Sequence, residues 1–377
     1  MSALPDGATD ADAVPLLAVQ EEYLLLDRAC GYPAPVADAV RSAVLRRPAL
    51  GPDDVHGELL QVQVEGATPT CRHLDEVGGH LLRLRHELDD AAAEQGARLA
   101  ATGAAPWHDG AAPVTDEARY REIRTRAPGL VEEQLINGMH VHVAVPDRAH
   151  GVEVLNRLRP DLPLLLAMSA NSPYWRGRDT GFHSWRAVHL ERWPVAGPPP
   201  HLRSVADHDA RMEALLATGA LPDARQAHWH ARLSPRRPAV EVRCADVQLR
   251  VDDAVLLAGL VRALVTTALR DLRCEASYPV VPTELLRATA WSAARHGLDG
   301  DLYDLRQGRR RRTGDQVVGL LARMQPALAS AGDEEQVGKL THRLLREGTG
   351  AARQRDVAHR LGTAALCDFL AAETTSC

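Results

Sequence analysis

Polar side chains recur at alternate positions inside otherwise apolar stretches. Gln20 and Glu22, His140 and His142, and Glu241 and Arg243 each stand at positions i and i+2. On a β-strand such pairs project from one face of the sheet. A fourth alternating stretch adds Glu65, with Glu58 one bend upstream. Burying carboxylates and imidazoles is costly unless a partner neutralises them. Several carboxylates with imidazole therefore point to a divalent-cation site, and oxygen-rich ligation suits Mg²⁺ or Mn²⁺ better than zinc. Arg243 beside it suggests a phosphate or carboxylate partner, because the planar guanidinium fork matches those anions.

Taken singly, each feature has a plainer reading. Glu-x-Arg is commonly an exposed cross-strand ion pair. His-x-His is commonly structural or solvated, and Glu21-Glu22 could mark a solvated strand edge. Their joint occurrence indicates a metal-dependent enzyme, and residue types alone go no further.

The elements that must position these groups follow from periodicity. Val14 to Leu26 reads as a strand ended by the turn Cys30-Gly31-Tyr32-Pro33. Gly57 to Thr68 alternates, with Gln61, Gln63 and Glu65 on one face and Leu60, Val62 and Val64 on the other. Arg98 to Ala104 and Gly138 to Val145 are further strands, and Arg232 to Leu249 holds two more, broken by Pro235 and Pro238. Helices are expected over Leu74 to Gln95, Asp116 to Ala127 and Leu162 to Ala170, with a loop from Asn171 to Gly181. From Asp252 onward the pattern is helical: Asp252 to Arg273, Thr283 to His296, Gly314 to Leu328 and Glu334 to Glu347. This order predicts an α+β fold with a mostly antiparallel sheet and a helical C-terminal part, about 252–377. Residues 1–14 read as a disordered tail and 15–377 as a single domain.

Composition removes several classes. The net charge of −6 argues against a general nucleic-acid binder. Arg309-Arg310-Arg311-Arg312 reads as a solvated loop, being short and without interleaved aromatics. Lys339 is the sole lysine, so no phosphate-binding Gly-x-x-x-x-Gly-Lys loop can exist. Cys30, Cys71, Cys244, Cys274, Cys367 and Cys377 contain no Cys-x-x-Cys pair, and Cys71 and Cys244 read as small core residues. The longest apolar run, Ala254 to Leu269, is interrupted by Arg262 and is too short for a membrane span. With no signal-peptide pattern at the N-terminus, a cytoplasmic location is expected.

Ile136-Asn137-Gly138-Met139-His140-Val141-His142 resembles the Asn-Gly-Met-His-x-His strand of glutamine synthetases. Other blocks resemble the type 2 glutamate–cysteine ligases, a family of carboxylate–amine ligases. They are Val19 to Asp27, Glu58 to Glu65 with Ala67-Thr68, Ser169 to Gly181, Val240 to Asp246, and Ala293 to Gly300. The blocks run in order from about residue 15 to 330 and are specific as a set.

The resemblance implies a glutamine synthetase-like catalytic domain, with a curved sheet flanked by helices. It implies ATP and Mg²⁺ (or Mn²⁺) as cofactors, small acid and amine substrates, no nucleic-acid or membrane partner, and a homodimer. Glu22, Glu58 and Glu65 would hold a cation near the substrate; position 20, His140 and Glu241 would hold one on the nucleotide phosphates. His142 and Arg243 would face the nucleotide, and Arg243 and Arg232 would steady the transferred phosphoryl group. Asn171, Ser172, Tyr174, Trp175, Arg178 and Thr180 would shape the substrate side. The implied chemistry is phosphorylation of a carboxylate by ATP, then attack of an amine on the acyl phosphate.

Three positions depart from the family pattern. Gln20 replaces a Glu ligand, removing a charge worth roughly 4 kcal/mol toward a cation at an effective dielectric of about 20. Gly103-Ala104-Ala105-Pro106 lacks the family's His, and His230-Ala231-Arg232-Leu233-Ser234 replaces Asp-x-Arg-Pro-Ser. These changes suggest a non-standard acid and amine pair. They also leave open a catalytically attenuated protein that only binds nucleotide or a small acid.

Overall fold

The structure is a computed structural model that describes residues 14–376 apart from 111 and 236. The N-terminal tail, Val14 excepted, lies outside the described residues. Seven strands form the main sheet: β1 Leu17–Asp27, β2 Val55–Gly57, β3 Gln63–Ala67, β4 Ala97–Ala100, β5 Gly138–Ala144, β6 Ala231–Leu233 and β7 Ala239–Asp246. Their order is β6-β7-β5-β1-β3-β2, with β4 alongside the far half of β1. Every pairing in this sheet is antiparallel, as expected.

Gly57 to Thr68 is not one strand. It breaks after Gly57 because the backbone there turns to bond the 113–115 loop: Thr115 N donates to Leu59 O and Gln61 N to Pro113 O. This break sets Glu58 apart from Glu65. The remaining expected strands and helices form within a few residues of their predicted ends.

Five helices matter for the site: α1 Leu74–Ala93, α2 Arg148–Leu158, α3 Trp185–Leu190, α4 Val251–Arg273 and α5 Leu366–Thr374. The periodicity did not single out α2, α3 or α5. Of these, α2 carries a strong start signal, the Asp147 carboxylate accepting from His150 N at 2.8 Å. Odd-numbered residues of β1 and β5, with Val240 and Val242 of β7, point to the back of the sheet. There Leu17, Val19, Val141, Val143, Val240 and Val242 share a core with Leu81 of α1, Leu155 of α2 and Leu257 of α4. Each such side chain contributes about 1.5–3 kcal/mol by leaving water.

One polar cluster is set into this back face. Glu21 and Arg85 are both fully buried and form a two-point ion pair, 2.7 and 3.0 Å. Arg85 spends its other N–H groups on the carbonyls of Gln248, Leu249 and Thr374. Glu21 thus points away from its neighbours Gln20 and Glu22, as strand alternation requires. The arginine run is not a loop: Arg309–Arg312 pairs with Asp301–Asp304 in a hairpin, with Arg311 on Asp304 at 3.0 Å and the other three solvent-exposed.

Candidate active site

The front face of the sheet carries the alternate residues, and cross-strand register sorts them into rows. Arg232, Glu241 and His142 are neighbours across β6, β7 and β5. Gln20 sits opposite His140, and Glu22 opposite Glu65. A register shift in β7 after Val242 still leaves Arg243 on this face, its backbone N bonded to His230 O at 2.7 Å. Gln20, Glu22, Glu58, Glu65, His140, His142, Arg232, Glu241 and Arg243 all line one cavity of about 530 Å³.

The cavity is electrostatically divided. At one end Glu22, Glu58 and Glu65 crowd together. Burial, then Glu22, pushes Glu58 up to about 7. Burial, then Glu58 and Glu22, holds Glu65 well above the usual carboxylate range. Burial also raises Glu22, against the pull of Arg186. At the other end Glu241 is clamped by Arg232, with contacts of 2.9 and 3.2 Å, and by Arg243. Burial opposes its ionisation, but Arg243, His142 and Arg232 hold it well below the usual range.

A cation fits the first end. Ligand atoms of Glu22, Glu65 and His140 lie within 4.8 Å of one another. His140 Nε2 is buried without a hydrogen bond among the described residues and stands 3.7 Å from Glu22 Oε1. Burial, then Arg243, keeps that imidazole well below its ordinary pKa and so neutral, the form that ligates. A divalent ion would relieve the repulsion among the carboxylates and give His140 Nε2 a partner.

Gln20 links the two ends. Its amide nitrogen donates to Glu65 at 3.2 Å and its oxygen accepts from His142 Nε2 at 2.7 Å. Of the three departures, it alone lines the cavity. Ala105 is buried in an apolar cluster, and His230, 3.9 Å from Glu191, is buried outside the lining.

The expected substrate loop is placed elsewhere. None of Asn171, Ser172, Tyr174, Trp175, Arg178 and Thr180 lines the cavity. Asn171 is a buried tie, donating to Ala101 O and Val247 O and accepting from Gln354. Ser172 holds Asp246 at 2.7 Å, Tyr174 packs on Val357 and Leu366, and Trp175 lies between the His108 and His189 rings. Thr180 closes its own loop on Pro173 O, and Arg178 is exposed. Asn171, Ser172 and Thr180 spend their polar groups on backbone and on Asp246 at the end of β7.

Other lining residues were missed. Arg186 of α3 is buried and donates to Arg243 O at 3.3 Å. A side chain at Gly138 would clash with the Arg186 guanidinium, so the glycine before the two histidines makes room for it. The signal was present: Ser184 caps α3, accepting from Ala187 N, just before Trp185-Arg186. Arg41 and Arg119, on helices Ala37–Val44 and Ala118–Arg126, and Arg225, Arg237, His56 and His228, from loops and short elements, also line the cavity.

Comparison with known proteins agrees with this arrangement. The profile of glutamate–cysteine ligase family 2 matches residues 18–366. A provisionally named glutamate–cysteine ligase 2 of Salinispora arenicola is 44% identical over 360 residues, covering 95% of this chain and 94% of its own. One of Saccharopolyspora erythraea is 43% identical over 347 residues, covering 91% and 90%. Among solved structures, the glutamate–cysteine ligase of Francisella tularensis in complex with AMP superposes with TM-score 0.71 at 12% identity, covering 96% of this chain and 88% of that one. The ligase PafA in complex with the ubiquitin-like protein Pup superposes with TM-score 0.54 at 12% identity, covering 93% and 69%. At such identities the structures speak for the fold, which is glutamine synthetase-like. The chain belongs to glutamate–cysteine ligase family 2 and is an ATP-dependent ligase that forms carbon–nitrogen bonds.

Proposed function

We propose that this protein joins a carboxylic acid to an amine through an acyl phosphate, and that its acid and amine differ from glutamate and cysteine. The observation that carries the first part is the divided cavity, with a carboxylate cluster at one end and a guanidinium pair on Glu241 at the other. The departure that motivates the second is Gln20.

Glu22, Glu65 and His140, with Glu58 beside them, would hold Mg²⁺. The ion would supply positive charge against the oxygens of the transferred phosphoryl group. Arg232 and Arg243 are oriented by Glu241 in advance, so their forks need little reorganisation when a phosphate arrives. The acid's carboxylate oxygen attacks the γ-phosphorus and ADP leaves. The amine nitrogen then attacks the acyl carbon, expels phosphate and loses a proton. Free carboxylates do not acylate amines at neutral pH, which is why the phosphoryl leaving group is required.

A second reading is favoured by the Gln20 bridge. Its amide oxygen is engaged by His142 and its nitrogen by Glu65, so it is less available to a nucleotide-side cation than a Glu carboxylate. On that reading the protein binds nucleotide and turns it over slowly or not at all.

Both readings meet in one assay: ATP, Mg²⁺ and a broad acid and amine panel with wild type and Gln20→Glu. ADP and amide formed together by wild type support the proposed ligase. Turnover only in Gln20→Glu identifies an attenuated enzyme. Nucleotide binding without turnover in either form would leave the proposal without support.

A further inference from the structure

The family pattern implies a second cation at the arginine end of the cavity, on position 20, His140 and Glu241. The donors this chain offers there do not fit one. Glu241 gives both carboxylate oxygens to guanidinium groups: Oε2 to Arg232 at 2.9 Å, and Oε1 to Arg232 at 3.2 Å and to Arg243. Charge-assisted pairs of this two-point kind are strong, and a cation could take either oxygen only by displacing one. Arg232 is held in turn, its Nη1 donating to Arg225 O at 2.9 Å.

Gln20 is no better placed. Its amide nitrogen donates to Glu65 Oε1 at 3.2 Å, and Glu65, ionised when it holds a cation, can only accept. The amide is therefore locked one way round, with its oxygen on His142 Nε2 at 2.7 Å. That contact also puts a proton on His142 Nε2. His140 is committed to the other end. Its Nε2 stands 3.7 Å from Glu22 Oε1. A lone pair used on a cation there leaves the ring proton on Nδ1, 3.8 Å from Glu241 Oε1. A nitrogen that carries its proton does not ligate.

Charge points the same way. One carboxylate against two guanidiniums leaves the arginine end net positive, while Glu22, Glu58 and Glu65 crowd the other end. Among the described residues, the only imidazole, thiol or carboxylate side chains grouped closely enough to share an ion are Glu22, Glu65 and His140.

We propose that this protein holds a single divalent cation per chain, at Glu22, Glu65 and His140, and that Arg232 and Arg243 take the place of a second one on the nucleotide phosphates. Among the described residues Arg243 engages Glu241 through Nη1 alone, so the rest of its fork can face a phosphate oxygen. Guanidiniums supply positive charge without the octahedral geometry that Mg²⁺ demands. The inference rests on the reading above in which the phosphates of ATP reach this end, and it holds whether turnover is fast or slow.

The test is a count. Full-length protein is dialysed to equilibrium against Mn²⁺ and a non-hydrolysable ATP analogue, and bound Mn²⁺ and bound nucleotide are measured per chain. Wild type is expected to hold one of each. Gln20→Glu, which puts a carboxylate between Glu65 and His142, is expected to hold a second Mn²⁺. Glu22→Gln is expected to weaken the single wild-type ion at least tenfold. Two Mn²⁺ per chain in wild type with nucleotide bound overturn the inference, whether or not either variant folds, and leave the ligase reading standing. A single ion that Glu22→Gln does not weaken also overturns it, because that ion then sits on the phosphates alone. So does a folded Gln20→Glu that still holds one, because the missing charge is then not what excludes the second. If no nucleotide binds, the ligase reading falls and takes the inference with it, an outcome that the nucleotide count tells apart from the others.

Discussion

At the scale of single residues, the site is a problem of charge. Three partly buried carboxylates share one end of a cavity, and the nearby guanidinium groups offset their crowding only in part. The consequence can be measured through pH. Glu58, held up to about 7 by burial and by Glu22, keeps in the folded state a proton that the unfolded chain releases near 4.5. A raised folded pKa contributes stability that is present below the unfolded value and lost as pH rises through the folded one. In EDTA, therefore, Glu58→Gln should gain stability relative to wild type as pH rises from about 4.5 to about 7, read as the difference in Tm. Excess Mg²⁺ should shrink that gain by shielding the ionised carboxylate. A difference in Tm that is flat with pH would contradict the assignment. Gln20 shows what residue types reveal and what they hide. Its loss of charge was plain in the sequence, but its bridge between Glu65 and His142 depends on three strands meeting and was not.

At the scale of elements, strand alternation does most of the positioning. It foretold that Glu22, Glu65, His140, Glu241 and Arg243 could share a face and that Glu21 would not, since a period of two is strict. The expected substrate loop does not line the cavity, because a sequence block shows that residues are specific, not whether they face a cavity or brace the residues that do. Asn171 and Ser172 brace Asp246 at the end of β7. Arg186 was missed because a six-residue helix offers too few turns for a pattern. The back face carries its own prediction. Arg85→Met would leave Glu21 buried and unpaired, at a cost of about 3–5 kcal/mol in urea unfolding. The double variant Glu21→Leu with Arg85→Met should recover most of that loss. A single variant as stable as wild type would mean that the pair does not hold α1 against β1.

At the scale of the whole molecule, the sheet separates two functions. Its back face, covered by α1, α2 and α4, supplies burial energy. Its front face presents charge to a cavity whose remaining walls come from segments far apart in the chain, from Arg41 to Arg243. Fold class could be read from element order and from ordered sequence blocks, because both are local patterns. The cavity walls could not, because they come from loops that converge only after the sheet has formed. α5 returns the chain's end to β4: Thr374 accepts from Arg85 through its carbonyl and from Ala101 N through its hydroxyl, at 3.0 and 2.8 Å. Among the described residues no helix is long and apolar enough to cross a membrane.

The central claim is that Glu22, Glu65 and His140, borne on β1, β3 and β5, together bind a divalent cation. Anomalous diffraction at the manganese edge tests it directly, using crystals of the whole protein grown with Mn²⁺ and a non-hydrolysable ATP analogue. The account predicts a peak bonded to all three side chains, with the triphosphate extending toward Arg232 and Arg243. A triphosphate seated in the cavity with no peak between those side chains, or with Mn²⁺ bound only elsewhere, would contradict it.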